Sequence, residues 1–200
     1  MTTLTQRLQT AFQSASVRRS RELARHGVSR VQLQAAVASG LLQRAGRGLY
    51  MLPDSAEVTE KHTLAEVSQR IPKGTFCLLT ALRFHELTTQ NPPEVWVALA
   101  PSAWRPRLDT VKIRLVHFSG TALEEGKEQH QVEGIPVKVY NPAKTVADCF
   151  KFRHKLGLDV ALEALREVWK ARRATMEQLN HYAQVDRVAR VMRPYLETLT

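Results

Sequence analysis

Apolar residues recur at helical spacing through the first forty positions of the chain, and glycine interrupts the recurrence twice. Leu4, Leu8, Ala11 and Phe12 predict an amphipathic helix over residues 4–14, broken by Ser14-Ala15-Ser16. A short helix is expected over 20–26, with Ser20 as N-cap and Leu23 turned inward. Gly27 ends it, because a positive φ costs glycine nothing, and Val28 packs into the turn. Ser29 is placed to cap a third helix over 30–39, whose inward stripe is Leu33, Ala36 and Val37, closed by Gly40. Leu42-Gln43-Arg44 and Leu49-Tyr50-Met51 read as two short strands about the turn Ala45-Gly46-Arg47-Gly48. Helix, glycine turn, helix and hairpin together describe a winged helix-turn-helix at 1–52.

Pro53-Asp54-Ser55 carries the turn chemistry of a boundary. Beyond it the pattern predicts helices at 59–70 and 75–87. Strands follow at 94–100 and 112–118, then a hairpin of 129–132 and 135–140 about Glu133-Gly134. Asn141-Pro142 opens a helical half, with helices at 142–153, 158–172, 175–183 and 186–198. The expected fold is therefore α+β: the winged helix, then a mixed α/β domain at 56–200 with a small sheet and a helical C-terminal half. No run of eighteen apolar residues predicts a membrane span, and the N-terminus lacks the pattern of a secretory signal. Cys77 and Cys149 sit in apolar contexts and are expected as reduced core residues, which suits the cytoplasm.

Charge sharpens this picture. The formal net charge is +10. Residues 1–50 hold eight arginines and, as their only acid, Glu22, so eight minus one leaves +7 on a quarter of the chain. Guanidinium chelates phosphates and guanine edges bidentately, so an all-Arg excess is an electrostatic footprint for double-stranded DNA. At 100° per residue the outward face of the third helix carries Val31, Gln34, Ala35 and Ala38, with Arg30 and Gln32 near its start. Small residues permit close approach to a groove and contact with thymine methyls; Gln34 suits adenine and Arg30 guanine. Ser29 at the helix N-terminus favours a phosphate. Arg44 and Arg47 on the wing reach a neighbouring phosphate or the minor groove. Arg18, Arg19 and Arg21, at and just before the second helix, complete the DNA-binding candidates.

The larger half shows no catalytic constellation. His85-Glu86 lacks the second His of a zinc helix, since Thr89 stands at i+4 from His85. No phosphate loop and no Cys-x-x-Cys occur, so neither catalytic residues, nor a metal, nor a cofactor is expected. Asp148 reads as a helix-positioning or ion-pair residue and Trp96 as core. Trp104 with Arg105 and Arg107, together with Lys144, Arg172 and Arg173, are candidates for gripping a partner.

Three sets of segments resemble AbiEi-type antitoxins. Residues 22–30, 39–44 and 46–50 resemble the family's N-terminal winged helix. Residues 79–87, 93–98 and 140–150 resemble its C-terminal antitoxin domain, with Lys144 where Arg is expected before Thr145-Val146. The resemblance implies an antitoxin of an AbiE-type (type IV) pair linked to phage defence. Its winged helix would bind operator repeats and repress the pair's own promoter. Its C-terminal domain would counteract a cognate nucleotidyltransferase-like toxin, with or without direct contact. Two other classes stay open: a stand-alone regulator with a ligand-sensing or interaction domain, and an enzyme acting on nucleic acid, for which no acidic cluster assembles.

Overall fold

The computed structural model describes residues 3–13, 17–46, 48–53, 62–103 and 111–199. It is an α+β chain, as the pattern predicts, and it divides into two compact units. The first comprises residues 1–72 and 130–137; the second comprises 73–129 and 138–200. Among the described residues no helix is long and apolar enough to cross a membrane.

The first unit opens with α1 (Leu4–Phe12), in which Thr3 and Gln6 form a reciprocal capping box. Strand β1 (Val17–Arg19) follows, then α2 (Ser20–Arg25) and α3 (Arg30–Ala38). Strands β2 (Gln43–Gly46) and β3 (Leu49–Met51) form the wing. The pattern does not predict β1; it pairs antiparallel with β3 and makes a three-stranded sheet of order β1-β3-β2. This pairing also corrects the cap of α2. Because Arg19 is held opposite Leu49, Ser20 is already helical, and Arg19 is the N-cap, its N–H donating to Glu22 Oε2 at 3.0 Å. The core here is Leu8, Ala11, Phe12, Leu23, Val28, Leu33, Ala36 and Leu42.

Helix α4 (His62–Arg70) belongs to the first unit and packs behind its sheet. Its buried Gln69 donates from Nε2 to Val17 O at 3.1 Å and accepts from Arg19 Nε at 3.3 Å. At its other end His62 Nδ1 lies 2.8 Å from Glu133 Oε2, on the turn of the hairpin that the unit includes.

The larger sheet is five-stranded and mixed, of order β6-β5-β4-β8-β7, and most of its residues belong to the second unit. Its strands are β4 (Thr75–Phe76), β5 (Val95–Leu99), β6 (Ile113–His117), β7 (Lys127–Val132) and β8 (Ile135–Tyr140). The helix expected at 75–87 is corrected at its start. Thr75-Phe76 is a strand, antiparallel to β5 and parallel to β8, and α5 begins only at Leu78 (Leu78–Phe84). A two-residue central strand leaves no alternation to read. Two one-turn helices, α6 (Thr121–Glu124) and α8 (Arg153–Leu156), also escape periodicity.

Helix α7 (Pro142–Lys151) is the centre of this unit, with Asn141 as N-cap and Pro142 in its first turn. Residues 142–150 are all buried, and α5, α9 (Leu158–Lys170), α10 (Met176–Val185) and α11 (Ala189–Leu196) pack around them. One of those buried residues is charged. Lys144, at 0% exposure, donates to Asp148 one turn on and to both oxygens of Asp186 at 3.2 and 3.1 Å, while Lys151 reaches Asp186 Oδ1 at 3.4 Å. The Lys144 ammonium also lies 4.7 Å from the ring centres of Phe118 and Tyr140. Burial pulls the Lys144 pKa down, but the two carboxylates outweigh it and hold the group above its ordinary value, so it stays charged. Burial raises both cysteine thiols, which are free.

Removing the ammonium leaves two carboxylates facing one another out of water, which costs about 3–5 kcal/mol. Lys144→Met is therefore expected to lower Tm by on the order of 10 °C in a thermal melt. Adding Asp148→Leu and Asp186→Leu is expected to restore much of the loss; an unchanged Tm in Lys144→Met would show that the group does not hold α7 to its neighbours.

Candidate nucleic-acid interface

The helix-turn-helix is set by three local devices. Leu23 fixes the inward face of α2, Gly27 turns the chain at φ +76°, and Ser29 starts α3. Arg7, which sequence reasoning leaves without a role, ties α1 to this turn by donating from Nη1 to Gly27 O at 2.9 Å. Ser29 Oγ accepts the Gln32 N–H at 3.3 Å, and Gln32 Oε1 accepts the Ser29 N–H at 2.9 Å. This capping box engages the carboxamide oxygen that Gln32 would need for a bidentate adenine contact. Gln34, fully on the outer face, keeps both groups.

The outer face of α3 is as the 100° rotation predicts. Val31, Gln34, Ala35 and Ala38 are exposed, while Leu33 and Ala36 are buried. Val31 is 74% exposed and continues with Ala35 and Ala38 as a stripe of small apolar side chains on this face. From Val31 to Ala38 the stripe rises about 10 Å, roughly three base-pair steps.

The arginines sort into two groups. Arg21 and Arg25 on α2, Arg30 on α3 and Arg44 on β2 are exposed, and no hydrogen bond or ion pair among the described residues engages them. Arg18 and Arg19 are half-buried on β1: Arg18 Nε donates to Ala11 O at 2.8 Å, and Arg19 Nε donates to Gln69. Burial, aided by the nearby Arg21 charge, lowers the Arg19 pKa below its ordinary value. These two candidates hold the scaffold together at the positions where the structure places them. Arg47, expected at the wing tip, lies outside the described residues, as do Trp104, Arg105 and Arg107.

Of the partner-facing candidates, Lys144 is corrected: it is wholly buried in the ion group of α7 and faces no partner. Arg172 and Arg173 are exposed just beyond α9. His85, the first residue of the abortive zinc pattern, is buried with Nε2 2.8 Å from Tyr140 O.

Residues 6–53 match the family model described as the transcriptional regulator AbiEi antitoxin. The matched stretch coincides with the helix-turn-helix and wing described above. An AbiEi match is a match to regulators, not to enzymes, and it supports a DNA-binding regulatory role for this region. Among solved structures, the crystal structure of the RV2827C protein from Mycobacterium tuberculosis aligns with a TM-score of 0.58 at 12% identity. The alignment covers 89% of this chain and 69% of that one, and it shows likeness of fold. No curated protein matches the chain.

The division of the arginines is testable by stability alone. Gln69→Ala leaves a half-buried guanidinium and a buried carbonyl short of partners, at about 1–3 kcal/mol, so Tm is expected to fall by several degrees. Arg21→Ala and Arg44→Ala are expected to change stability by no more than about 0.5 kcal/mol. Equal effects in urea titrations of the three variants would remove the distinction.

Proposed function

We propose that the protein is the antitoxin of a bacterial toxin–antitoxin pair, acting in the cytoplasm. Its winged helix, residues 1–52, binds double-stranded operator DNA and represses its own promoter; residues 56–200 counteract a nucleotidyltransferase-like toxin. The observation that carries the DNA half is the combination, on one matched winged helix, of an exposed small-residue face on α3 with exposed arginines on α2, α3 and β2 that nothing among the described residues engages. The action is binding: Arg side chains neutralise phosphates and release counterions, and α3 reads base edges. Arg30 and Gln34 are assigned to bases, Val31 to a thymine methyl, and Ser29, Arg21, Arg44 and Arg47 to the backbone. The toxin half rests on the resemblance of residues 79–87, 93–98 and 140–150.

A second reading draws on the match ending at residue 53: a stand-alone winged-helix regulator whose other unit senses a ligand or partner. Co-expression with the neighbouring gene separates the two. Rescue of growth from a toxic neighbouring product by the full chain supports the antitoxin; a neighbouring product without toxicity, or toxicity without rescue, favours the stand-alone regulator.

In mobility-shift titrations on the protein's own promoter, Arg44→Ala is expected to weaken operator and non-operator DNA alike. Gln34→Ala is expected to relax discrimination at one base pair by about 1–3 kcal/mol. Wild-type binding in both variants would remove these residues from the interface.

A further inference from the structure

Helix α4 lies beyond the matched residues 6–53 yet belongs to the first unit, and it turns polar side chains inward. His62, Glu66, Gln69 and Arg70 share one face of the helix, at i, i+4, i+7 and i+8. Glu66 and Gln69 are both buried, a costly place for polar groups that are not answered. Gln69 is answered by Val17 O and Arg19 Nε. Glu66 and Arg70, one turn apart, stand against strand β2.

The point of contact is Gly46. A Cβ on that residue would lie 2.5 Å from Arg70 Nη2 and 2.9 Å from Glu66 Oε1. Gly46 is not at positive φ, so space and not backbone conformation calls for glycine here. The two side chains have little room to retreat, since Glu66 is buried and Arg70 Nε is out of water, without a hydrogen-bond partner among the described residues. The strand is irregular at the same place. Arg44 pairs with Tyr50 and Gly46 with Leu49, so Ala45 is an extra residue in the ladder, and a bulge of this kind re-aims the strand that carries it. From the other side Gly48 O accepts the Ser20 N–H at 3.0 Å, which ties the wing to the start of α2.

We propose that Glu66 and Arg70 are positioning residues for DNA binding: they form a seat on α4 that sets where the wing stands, so that Arg44 and the face of α3 meet one DNA segment together. The proposal rests on the DNA-binding reading given above and extends it to a helix beyond the matched residues. A wing fixed before binding spares the ordering cost that a loose hairpin incurs at an interface. Gln69 serves the same seat by holding Val17 and Arg19 of β1, the strand that pairs with wing strand β3.

The test uses the full chain and a seat variant carrying Glu66→Ala with Arg70→Ala, which removes one acid and one base and leaves the net charge at +10. Binding to the protein's own promoter is titrated against salt. In the wild type, Arg44→Ala is expected to make the slope of log K against log salt shallower by about 0.9, the mark of one phosphate contact. The seat variant is expected to bind several-fold more weakly with a similar loss of slope, and adding Arg44→Ala to it is expected to change the slope little further. A helix that served stability alone would lower Tm and leave the Arg44 effect intact. An Arg44→Ala effect of about 0.9 in both backgrounds therefore overturns the proposal. Loss of base discrimination in the seat variant overturns it too, because α3 would then depend on α4 as much as the wing does. If Arg44→Ala and Gln34→Ala both bind like the wild type, the winged-helix reading itself fails and takes this proposal with it. Gly46→Val overfills the seat from the strand side; it is expected to reproduce the seat variant and replaces it if that variant does not melt cooperatively.

Discussion

A lysine ammonium enclosed among helices sets the terms for the second unit. Lys144 lies on α7 with no access to water, so its charge has to be answered by neighbours. Asp148 answers from the same helix, and Asp186 answers from the turn between α10 and α11. Neither carboxylate would be tolerable there without the ammonium, and among the described residues Asp148 Oδ2 has no hydrogen-bond partner even so. Desolvation, with the Asp186 charge beside it, holds the Asp148 pKa well above its ordinary value against the pull of Lys144. The arrangement specifies which turn meets α7 more sharply than apolar packing alone, because a shifted turn would strand a charge. Gly126 belongs to the same constraint: a Cβ there would stand 2.8 Å from the Lys144 Cβ and 3.2 Å from Tyr182.

In the first unit the governing constraint is the dual use of arginine. A region with eight arginines and one acid cannot neutralise itself, so most of its cations must be solvated or bound to something else. The structure divides them by depth. Arg7, Arg18 and Arg19 bond inward to Gly27, Ala11 and Gln69, bracing the first helix, the turn and the sheet. Arg21, Arg25, Arg30 and Arg44 stand exposed on α2, α3 and β2. Bracing and polyanion binding thus use one residue type at different depths, and composition alone cannot distinguish them.

Much of the candidate interface was legible because it depends on local rules. The face of α3 follows from a fixed rotation per residue, the turn from Gly27, and the start of α3 from Ser29. Even there the capping box altered a detail, since Gln32 turned its carboxamide oxygen to the Ser29 N–H. Arg18 and Arg19 were not separable from Arg21 in sequence. Their partners are a carbonyl on α1 and a glutamine on α4, fifty residues downstream of Arg19.

The sequence by itself determined the long elements and their faces, because periodicity and end signals act over a few residues. It placed the helix-turn-helix, the wing, the β7–β8 hairpin at Glu133-Gly134 and the capped start of α7. Tertiary structure decided whatever depended on remote pairing. Strand β1 exists because β3 stands beside it, Thr75-Phe76 is strand because β5 and β8 flank it, and α4 joins the winged helix through Gln69. It also decided that Lys144, a plausible surface cation in sequence, is the buried centre of an ion group. A lysine's own neighbours say little about burial; the aspartate that makes burial possible lies forty-two positions away.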